Sequence, residues 1–289
     1  MKILFVGVFD TTKKSTNTSQ LLAFKKLGHQ VSGYNYREKA RIYGLVERDK
    51  ELSYIIENNN YSLVVFSKCN RVSYDVFKKA TQKTKTCLWF MDPLQTYDDE
   101  MKRKSALVTY VCCDKENVVN EALKYNPSTF RVCEGYDQDV DKPRECNKLY
   151  DVSFIGNIYG PRKNIIDSIE AEVKVIDGAY GTSHSEEVSK TKINLNFCTN
   201  SGASDRVYKI MAAEGFLLSN EWFGREQYFE DGKECVIFRD IDDLNAKIKF
   251  YLDNPALRKQ IAKAGKKAVN KFDRLSWARK IVELCNEIQ

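Results

Sequence analysis

Short apolar runs alternate with amphipathic stretches along most of the chain. "KILFVGVF" at the N-terminus is a continuous apolar run of the kind a strand buried on both faces presents. It leads into "TSQLLAFKKLG", where Leu21, Leu22, Phe24 and Leu27 fall on one helical face. "HQVSGYNY" then predicts a strand, "LVERDKELSYIIENN" a helix, "YSLVVFS" a strand, "SYDVFKKATQK" a helix and "KTCLWFMD" a strand. The series continues with "ALVTYVCC", "KENVVNEALKY" and "TFRVCEGYD". A second round opens at Tyr150 with "DVSFIGN", "RKNIIDSIE", "EVKVIDG" and "KINLNF", followed by a short helix, "FLLSN", "ECVIF" and a long helical tail. Such alternation predicts parallel sheets covered by helices on both faces. Between the rounds, "DQDVDKPRECNKLY" is polar, contains a proline and lacks periodicity, which marks it as a linker. The expected fold class is therefore α/β, with two Rossmann-like doubly wound domains, 1–148 and 149–274, facing across a cleft.

Composition agrees with that outline. A chain of 289 residues suits two domains of roughly 100–200 residues each. Hydrophobic residues make up 43% and charged residues 30%, the balance of a globular protein rather than a disordered one. No apolar run approaches the ~18–20 residues of a membrane span, and "MKILFVGVFD" lacks the small-residue cleavage site of a signal peptide. The nine cysteines show no CxxC spacing and only two histidines accompany them, so neither a metal site nor a disulfide framework is expected. These features predict a reduced, cytoplasmic protein.

The stretch "TNSGASDRVYKIMAAEGFLLSN" carries the clearest chemistry. A loop of small residues, Ser201, Gly202, Ala203 and Ser204, separates the strand "KINLNF" from a helix that opens with Asp205 and Arg206. In open α/β sheets ligands bind beyond the carboxyl ends of the strands, beside helix N-termini. Small residues let an anion reach the free N–H groups there, and the helix dipole favours negative charge. Arg206 and Lys209 share a face and would clamp a diphosphate. The plainer alternative is that Ser204 or Asp205 caps the helix and both cations are solvated.

Three long segments carry a family resemblance. They are "YDVSFIGNIYGPR", "SKTKINLNF" and "SDRVYKIMAAEGFLLSNEWFGREQYFEDGKECVIFRDIDDLNAKIKFYLDNPALRKQIAKAGKKAV", with looser matches in "LLAFKKLGHQV", "CLWFMDP" and "RVCEGYDQDV". Together they resemble the CgeB-like, or spore-maturation-protein-like, glycosyltransferases of the two-domain GT-B class. The resemblance implies a donor domain at 149–274, an acceptor domain at 1–148 and a final helix, 275–289, that crosses back to the first domain. It implies metal-independent transfer of a hexose or pentose, without a cofactor, from a nucleotide-diphosphate sugar, with a UDP-sugar as the expected donor. Gly156 and Asn157 end a strand and Arg162 opens the next helix, making "FIGNIYGPR" a second donor element. The chain departs from its relatives at Lys209, where they carry a Glu that holds ribose. Lysine cannot accept a hydrogen bond from a hydroxyl. Either Lys209 contacts phosphate or the ribose is held elsewhere, and Glu214 stands near the far end of the helix. Tyr180 is either a stacking partner for the base or a loop tyrosine.

Asp92 and Asp10 both end apolar strands and are the candidates for a general base, although an Asp in such a place is more often a loop cap. His29 sits at the opposite rim of the sheet and is read as structural, and Asp242 and Asp243 as helix-capping residues. Residues 1–148 hold 25 Lys+Arg against 19 Asp+Glu, whereas residues 149–289 hold 21 of each. The clusters "TTKKST", "FKKATQKTK" and "EMKRKS" carry much of the excess. A basic acceptor domain suggests a polyanionic acceptor, whether DNA with a hydroxylated base, a teichoic-acid-like polymer or an anionic glycan. If the lysines form only a solvated surface, the acceptor is a glycan, protein or small molecule without that constraint. A non-catalytic nucleotide-sugar or nucleic-acid binding module is the third reading, motivated by Lys209.

Overall fold

The computed structural model describes residues 1–10, 15–198 and 202–288. The chain divides into two compact units, Met1–Glu134 with Arg274–Gln289, and Gly135–Asp273.

The first unit is built on six parallel strands: β1 (Lys2–Gly7), β2 (Gln30–Asn35), β3 (Leu63–Ser67), β4 (Lys85–Phe90), β5 (Tyr110–Cys113) and β6 (Thr129–Arg131). Their order is β2-β1-β3-β4-β5-β6. The central strands are apolar on both faces because helices cover both, and β3 is buried at every position. The intervening helices are α1 (Thr16–Lys26), α2 (Tyr36–Glu57), α3 (Tyr74–Lys83), α4 (Asp99–Ser105) and α5 (Glu116–Ala122). Helix α2 starts nine residues before the amphipathic stretch at 45–59, because Asn35 caps it by accepting from the Glu38 N–H. It is kinked at Gly44, whose φ is 81°.

The second unit repeats the plan with five parallel strands: β7 (Tyr150–Ile155), β8 (Val173–Ile176), β9 (Thr191–Asn196), β10 (Leu217–Asn220) and β11 (Val236–Phe238). Their order is β11-β10-β9-β7-β8. Its helices are α6 (Pro161–Asp167), α7 (Thr182–Lys190), α8 (Asp205–Ala212), α9 (Ile241–Asp253) and α10 (Pro255–Val269). Phe154, Leu195, Phe197, Leu218 and Phe238 fill the core between the sheet and the helices. Strand order reverses between β1 and β3 in the first unit and between β7 and β9 in the second. Connections there leave in opposite directions and open a crevice at the carboxyl edge.

The polar stretch at 137–150 lies within the second unit, and the division falls at Glu134–Gly135 rather than at 148. The reason is a set of bonds too irregular to leave a periodic pattern. Val140 O accepts from the Ser185 hydroxyl (3.0 Å), Arg144 N donates to the Ser189 hydroxyl (3.0 Å), and Lys148 donates to the Ser189 and Thr191 carbonyls (2.7 Å each).

The last helix, α11 (Arg274–Glu287), belongs to the first unit. Its Trp277 meets Phe24 and Trp89 edge to face at 5.1 and 5.4 Å, and its Ile281 carbonyl accepts from the Tyr110 hydroxyl at 2.8 Å. The final turns thus close the β1 and β4 face of the first sheet. Among the described residues no helix is long and apolar enough to cross a membrane, and no disulfide joins any of the nine cysteines.

Candidate functional site

At the carboxyl end of β7 the chain turns through Gly156, Asn157 and a glycine, Gly160, at the N-cap of α6. Gly156 has φ 142°, and a Cβ there would stand 2.6 Å from Nη2 of Arg206. The missing side chain lets the Arg206 guanidinium lie across the strand end. The guanidinium carbon sits 4.9 Å from the centroid of the Phe154 ring, and Nη1 donates to Asn196 Oδ1 at 3.0 Å. Arg162 approaches the same ring at 5.8 Å and the Tyr159 ring at 4.6 Å. Its guanidinium makes two long hydrogen bonds, 3.4 Å each, to the Asn157 and Phe197 carbonyls, and its Nε is buried without a partner among the described residues. Neither arginine forms an ion pair with a carboxylate among the described residues. Burial and the neighbouring Arg162 charge lower the Arg206 pKa against the pull of Asp205. Arginine keeps its proton regardless. The reversal point of the second sheet therefore holds two adjacent cations with no anion between them.

Asn196, fully buried at the end of β9, organises this corner. Its Oδ1 accepts from Arg206 and from the Ser204 hydroxyl at 3.0 Å, and its Nδ2 donates to the Ser219 hydroxyl at 3.0 Å. Ser204 occupies the N-cap position of α8 but makes no capping bond to the helix, because its hydroxyl turns back to Asn196. Ser204 thus gives the first turn of α8 no side-chain cap, in the crevice where Arg206 lies. Asp205 and Lys209, one turn apart on α8, form an ion pair.

His184, in the first turn of α7, is 7% exposed, and its Nδ1 has no partner among the described residues. Burial, then the Lys209 and Arg206 charges, lower its pKa to about 3 against the opposing Asp205 carboxylate. It is neutral. Glu214 stands apart from this group. It follows the C-terminal end of α8 in a left-handed conformation, φ 57°, and pairs with Lys266 on α10 at 3.3 Å. Nine residues of rise, on the order of 13 Å, separate it from Asp205. Tyr180 lies exposed in the turn before α7.

In the first unit Asp92, just past β4, accepts from the Lys68 ammonium, Oδ2 to Nζ 2.7 Å. Lys68 begins the loop after β3, and that loop is strained. Lys68, Cys69 and Arg71 have φ of 58°, 59° and 62°, although none is glycine. Asp10 lies three residues past β1, where its N–H donates to the Ser15 and Thr18 hydroxyls at 3.3 and 3.2 Å. It lines a hollow of about 610 Å³ beside β2, with Phe9, Tyr34 and Lys39.

The basic clusters are largely engaged. Lys78 pairs with Asp75 and Lys79 with Glu57. Lys102 pairs with Asp99, and Lys104 is buried against Glu100. In "TTKKST", residues 11–14 lie outside the described residues, as does Ser201 of the small-residue loop. Asp242 and Asp243 open α9, but its N-cap is Asp240, whose side chain accepts from the Asp243 N–H at 2.9 Å. Among the described residues no three His, Cys, Asp or Glu side chains cluster as metal ligands would.

Asn196, His184, Phe154 and Lys68 are absent from the sequence-derived site. No local signal singles out Asn196, because β9 carries Asn194 as well, two residues earlier.

Residues 145–286 match the family model described as Glycosyl transferase-like. Comparison with curated protein sequences gives no match. HepE from Anabaena, solved with UDP-glucose, is similar in structure at a TM-score of 0.73 and 10% identity, over 99% of both chains. Sucrose-phosphate synthase from Thermosynechococcus elongatus follows at 0.70 and 11% identity, over 99% of this chain and 98% of that one. A glycosyltransferase from Rickettsia africae gives 0.67 and 13%, over 99% and 98%. At such identities the likeness is one of fold, and the fold is GT-B.

Proposed function

We propose that this chain, with its GT-B fold and a second half that is glycosyl transferase-like, transfers a sugar from a nucleoside diphosphate sugar to an acceptor hydroxyl. The observation that carries the reading is the pair Arg162 and Arg206, side by side on Phe154 at the strand-order reversal without a carboxylate partner. Two guanidinium groups with a helix N-terminus that Ser204 leaves uncapped match a diphosphate in charge and in donor geometry. Gly156 and Asn157 let that group approach the strand end, and the Ser204 hydroxyl completes the polar rim. When the bond from the sugar C1 to the β-phosphate breaks, its electron pair goes to the phosphate oxygen. The arginines face that growing charge and need not reorganise to meet it. In this reading they supply the neutralisation, and the transfer needs no metal.

UDP is the expected nucleoside diphosphate, since HepE was solved with UDP-glucose. The sugar is a hexose or pentose, and the closer kinship is with the CgeB-like group. Lys209, held by Asp205 beside His184, lies one turn deeper than Arg206 and adds positive charge. Ribose would then find its acceptors in Asp205 and the neutral His184 ring. On the acceptor side Asp92 is the group that takes the hydroxyl proton, with Asp10 as the alternative. Nine cysteines without a disulfide suit work in a reducing cytoplasm.

The test is calorimetric titration of the whole protein with UDP, GDP, CDP, ADP and TDP, repeated with Arg206→Ala. Loss of the charge-assisted bonds should weaken binding about ten- to a hundredfold. Equal affinity in the variant would overturn the assignment.

A further inference from the structure

The loop after β3 repeats one unusual choice three times. Lys68, Cys69 and Arg71 all lie in the left-handed region, where a side chain is strained and glycine is not. Such conformations persist only where the surroundings over-determine them, and they cluster at binding and catalytic sites. Here the surroundings do so with two buried cations. Lys104, with no exposed surface, donates to the Cys69 carbonyl at 2.7 Å. Arg48, 1% exposed, donates to the Arg71 carbonyl at 2.5 Å. Carboxylates hold the other side. Glu100 accepts from the Arg71 N–H at 2.6 Å, and Asp49, itself bound to Arg48 at 2.8 Å, accepts from the Ser73 N–H at 3.1 Å. The Lys68 N–H reaches across to the Trp89 carbonyl on β4 at 2.9 Å.

Glycine would adopt this backbone without strain, so the three side chains themselves call for an explanation. Cys69 is buried in the core, its Sγ 3.5 Å from the Val6 carbonyl. Lys68 reaches Asp92, giving one carboxylate oxygen a fixed donor and leaving the other open to a second partner. The Arg71 guanidinium is exposed and has neither a hydrogen bond nor an ion pair among the described residues. All of this lies at the carboxyl ends of β3 and β4, next to the β1–β3 reversal, where an open α/β sheet binds its ligand.

Building on the transferase reading, we infer that the pinned loop Lys68–Arg71 and Asp92 form the acceptor subsite. Arg71 takes an anionic group of the acceptor, Asp92 takes the hydrogen of its attacking hydroxyl, and Lys68 positions the Asp92 carboxylate. In the transfer the acceptor O–H breaks with its proton going to Asp92, the oxygen bonds the sugar C1, and the diphosphate leaves with the electron pair of the old bond. One unpaired guanidinium fits one phosphate. Tracking nucleic acid would need many free cations along a face. The lysines of this unit are instead widely paired, Lys39 with Glu51, Lys50 with Glu47 and Lys124 with Glu121 among them. The acceptor class is therefore a phosphorylated polyol, a phosphate beside a free hydroxyl.

The test uses the whole protein and three small probes, sn-glycerol 3-phosphate, propyl phosphate and glycerol, titrated by calorimetry at low salt, with UDP titrated in parallel. Wild type should bind glycerol 3-phosphate about tenfold or more tightly than either single-group probe. Arg71→Gln should erase the advantage over glycerol and keep the advantage over propyl phosphate small but present. Lys68→Met and Asp92→Asn should erase the advantage over propyl phosphate and keep phosphate binding, a split that general damage to the fold would not produce. Arg71→Gly, whose backbone suits φ 62°, should melt no lower than wild type and bind like Arg71→Gln. UDP affinity should stay unchanged in all four variants. If UDP binds and glycerol 3-phosphate does not, or if Arg71→Gln keeps its affinity, the acceptor subsite is wrong and the donor reading stands. Failure of UDP and of GDP, CDP, ADP and TDP as well overturns the donor reading on which this one rests. Tight, steeply salt-dependent binding of hydroxymethylated DNA that ignores Arg71→Gln overturns the phosphopolyol in favour of a polyanion.

Discussion

The Arg206 guanidinium occupies the space that a side chain on residue 156 would need: a Cβ built on Gly156 would stand 2.6 Å from Nη2 and 3.3 Å from the guanidinium carbon. Strand end and helix start are thereby fitted to one another, with Phe154 beneath and Asn196 beside them. In the proposed donor site, a missing methyl group sets where the Arg206 guanidinium lies.

Gly156→Ala should therefore displace Arg206 rather than merely strain the backbone. With φ at 142° the substitution also places a side chain in a conformation few L residues adopt. A loss of about 1–3 kcal/mol in stability and at least tenfold in UDP affinity is expected. Urea unfolding and UDP titration measure the two separately. Wild-type UDP affinity in a folded variant would mean that Arg206 does not touch the nucleotide.

Arg162 and Arg206 stand together without an anion, an arrangement that serves a ligand better than the empty protein. Replacing a buried charge by an apolar side chain of similar length is often neutral or stabilising. Arg162→Met should thus hold or raise the melting temperature while weakening UDP binding about tenfold. Arg206→Lys should recover little, because an ammonium cannot replace the planar fork. A variant that lost both stability and affinity would identify Arg162 as a structural cation instead.

The alternation of the fold was legible because strands buried on both faces read as apolar runs, as "LVVFS" and "KTCLWF" do. Arg206 and Arg162 were legible for a related reason: strand ends and helix starts are the places where such sheets bind ligands. Asn196 was not, since nothing local distinguishes it from Asn194 two residues earlier. Its role depends on Ser204 and Arg206 returning to it after a loop. His184 depends on α7 packing beside α8, a contact with no periodic signature. The basic clusters were visible as composition, but their engagement was only half visible. Lys78 with Asp75 is an i, i+3 pair in the sequence, whereas Lys79 with Glu57 joins two helices. The left-handed loop at 68–71 contains no glycine to announce it.

Glu214 offers a clean separation of structure from function. It sits at φ 57° beyond the end of α8, and its ion pair with Lys266 is partly exposed and contributes little. Glu214→Gly should stabilise the protein by up to about 1 kcal/mol by relieving the backbone. UDP affinity should be unchanged, because the residue is at the opposite end of the helix from Arg206. A tenfold loss of UDP binding would show that Glu214 reaches the nucleotide after all.

The neutral state of His184 makes a prediction about acid stability. Its pKa is lowered to about 3 in the folded protein, whereas an unfolded histidine titrates near 6.5. Between those values the unfolded chain binds one more proton, so stability falls as the pH drops from about 6.5 towards 3. The slope is about 1.4 kcal/mol per pH unit, and above pH 7 the residue imposes no penalty. His184→Asn, of similar size and without a charge to gain, should remove that slope. The stability lost between pH 7.5 and pH 4.5, read from urea midpoints, should then be smaller in the variant by roughly 2–3 kcal/mol. Saturating UDP should reduce the wild-type loss as well. A bound diphosphate would offset the Lys209 and Arg206 charges that help keep the imidazole neutral, and let His184 accept a proton more readily. Identical acid sensitivity in wild type and variant would mean that His184 is already solvated and charged in the folded chain. A wild-type profile that UDP leaves unmoved would separate His184 from the donor site while leaving its buried, neutral state intact.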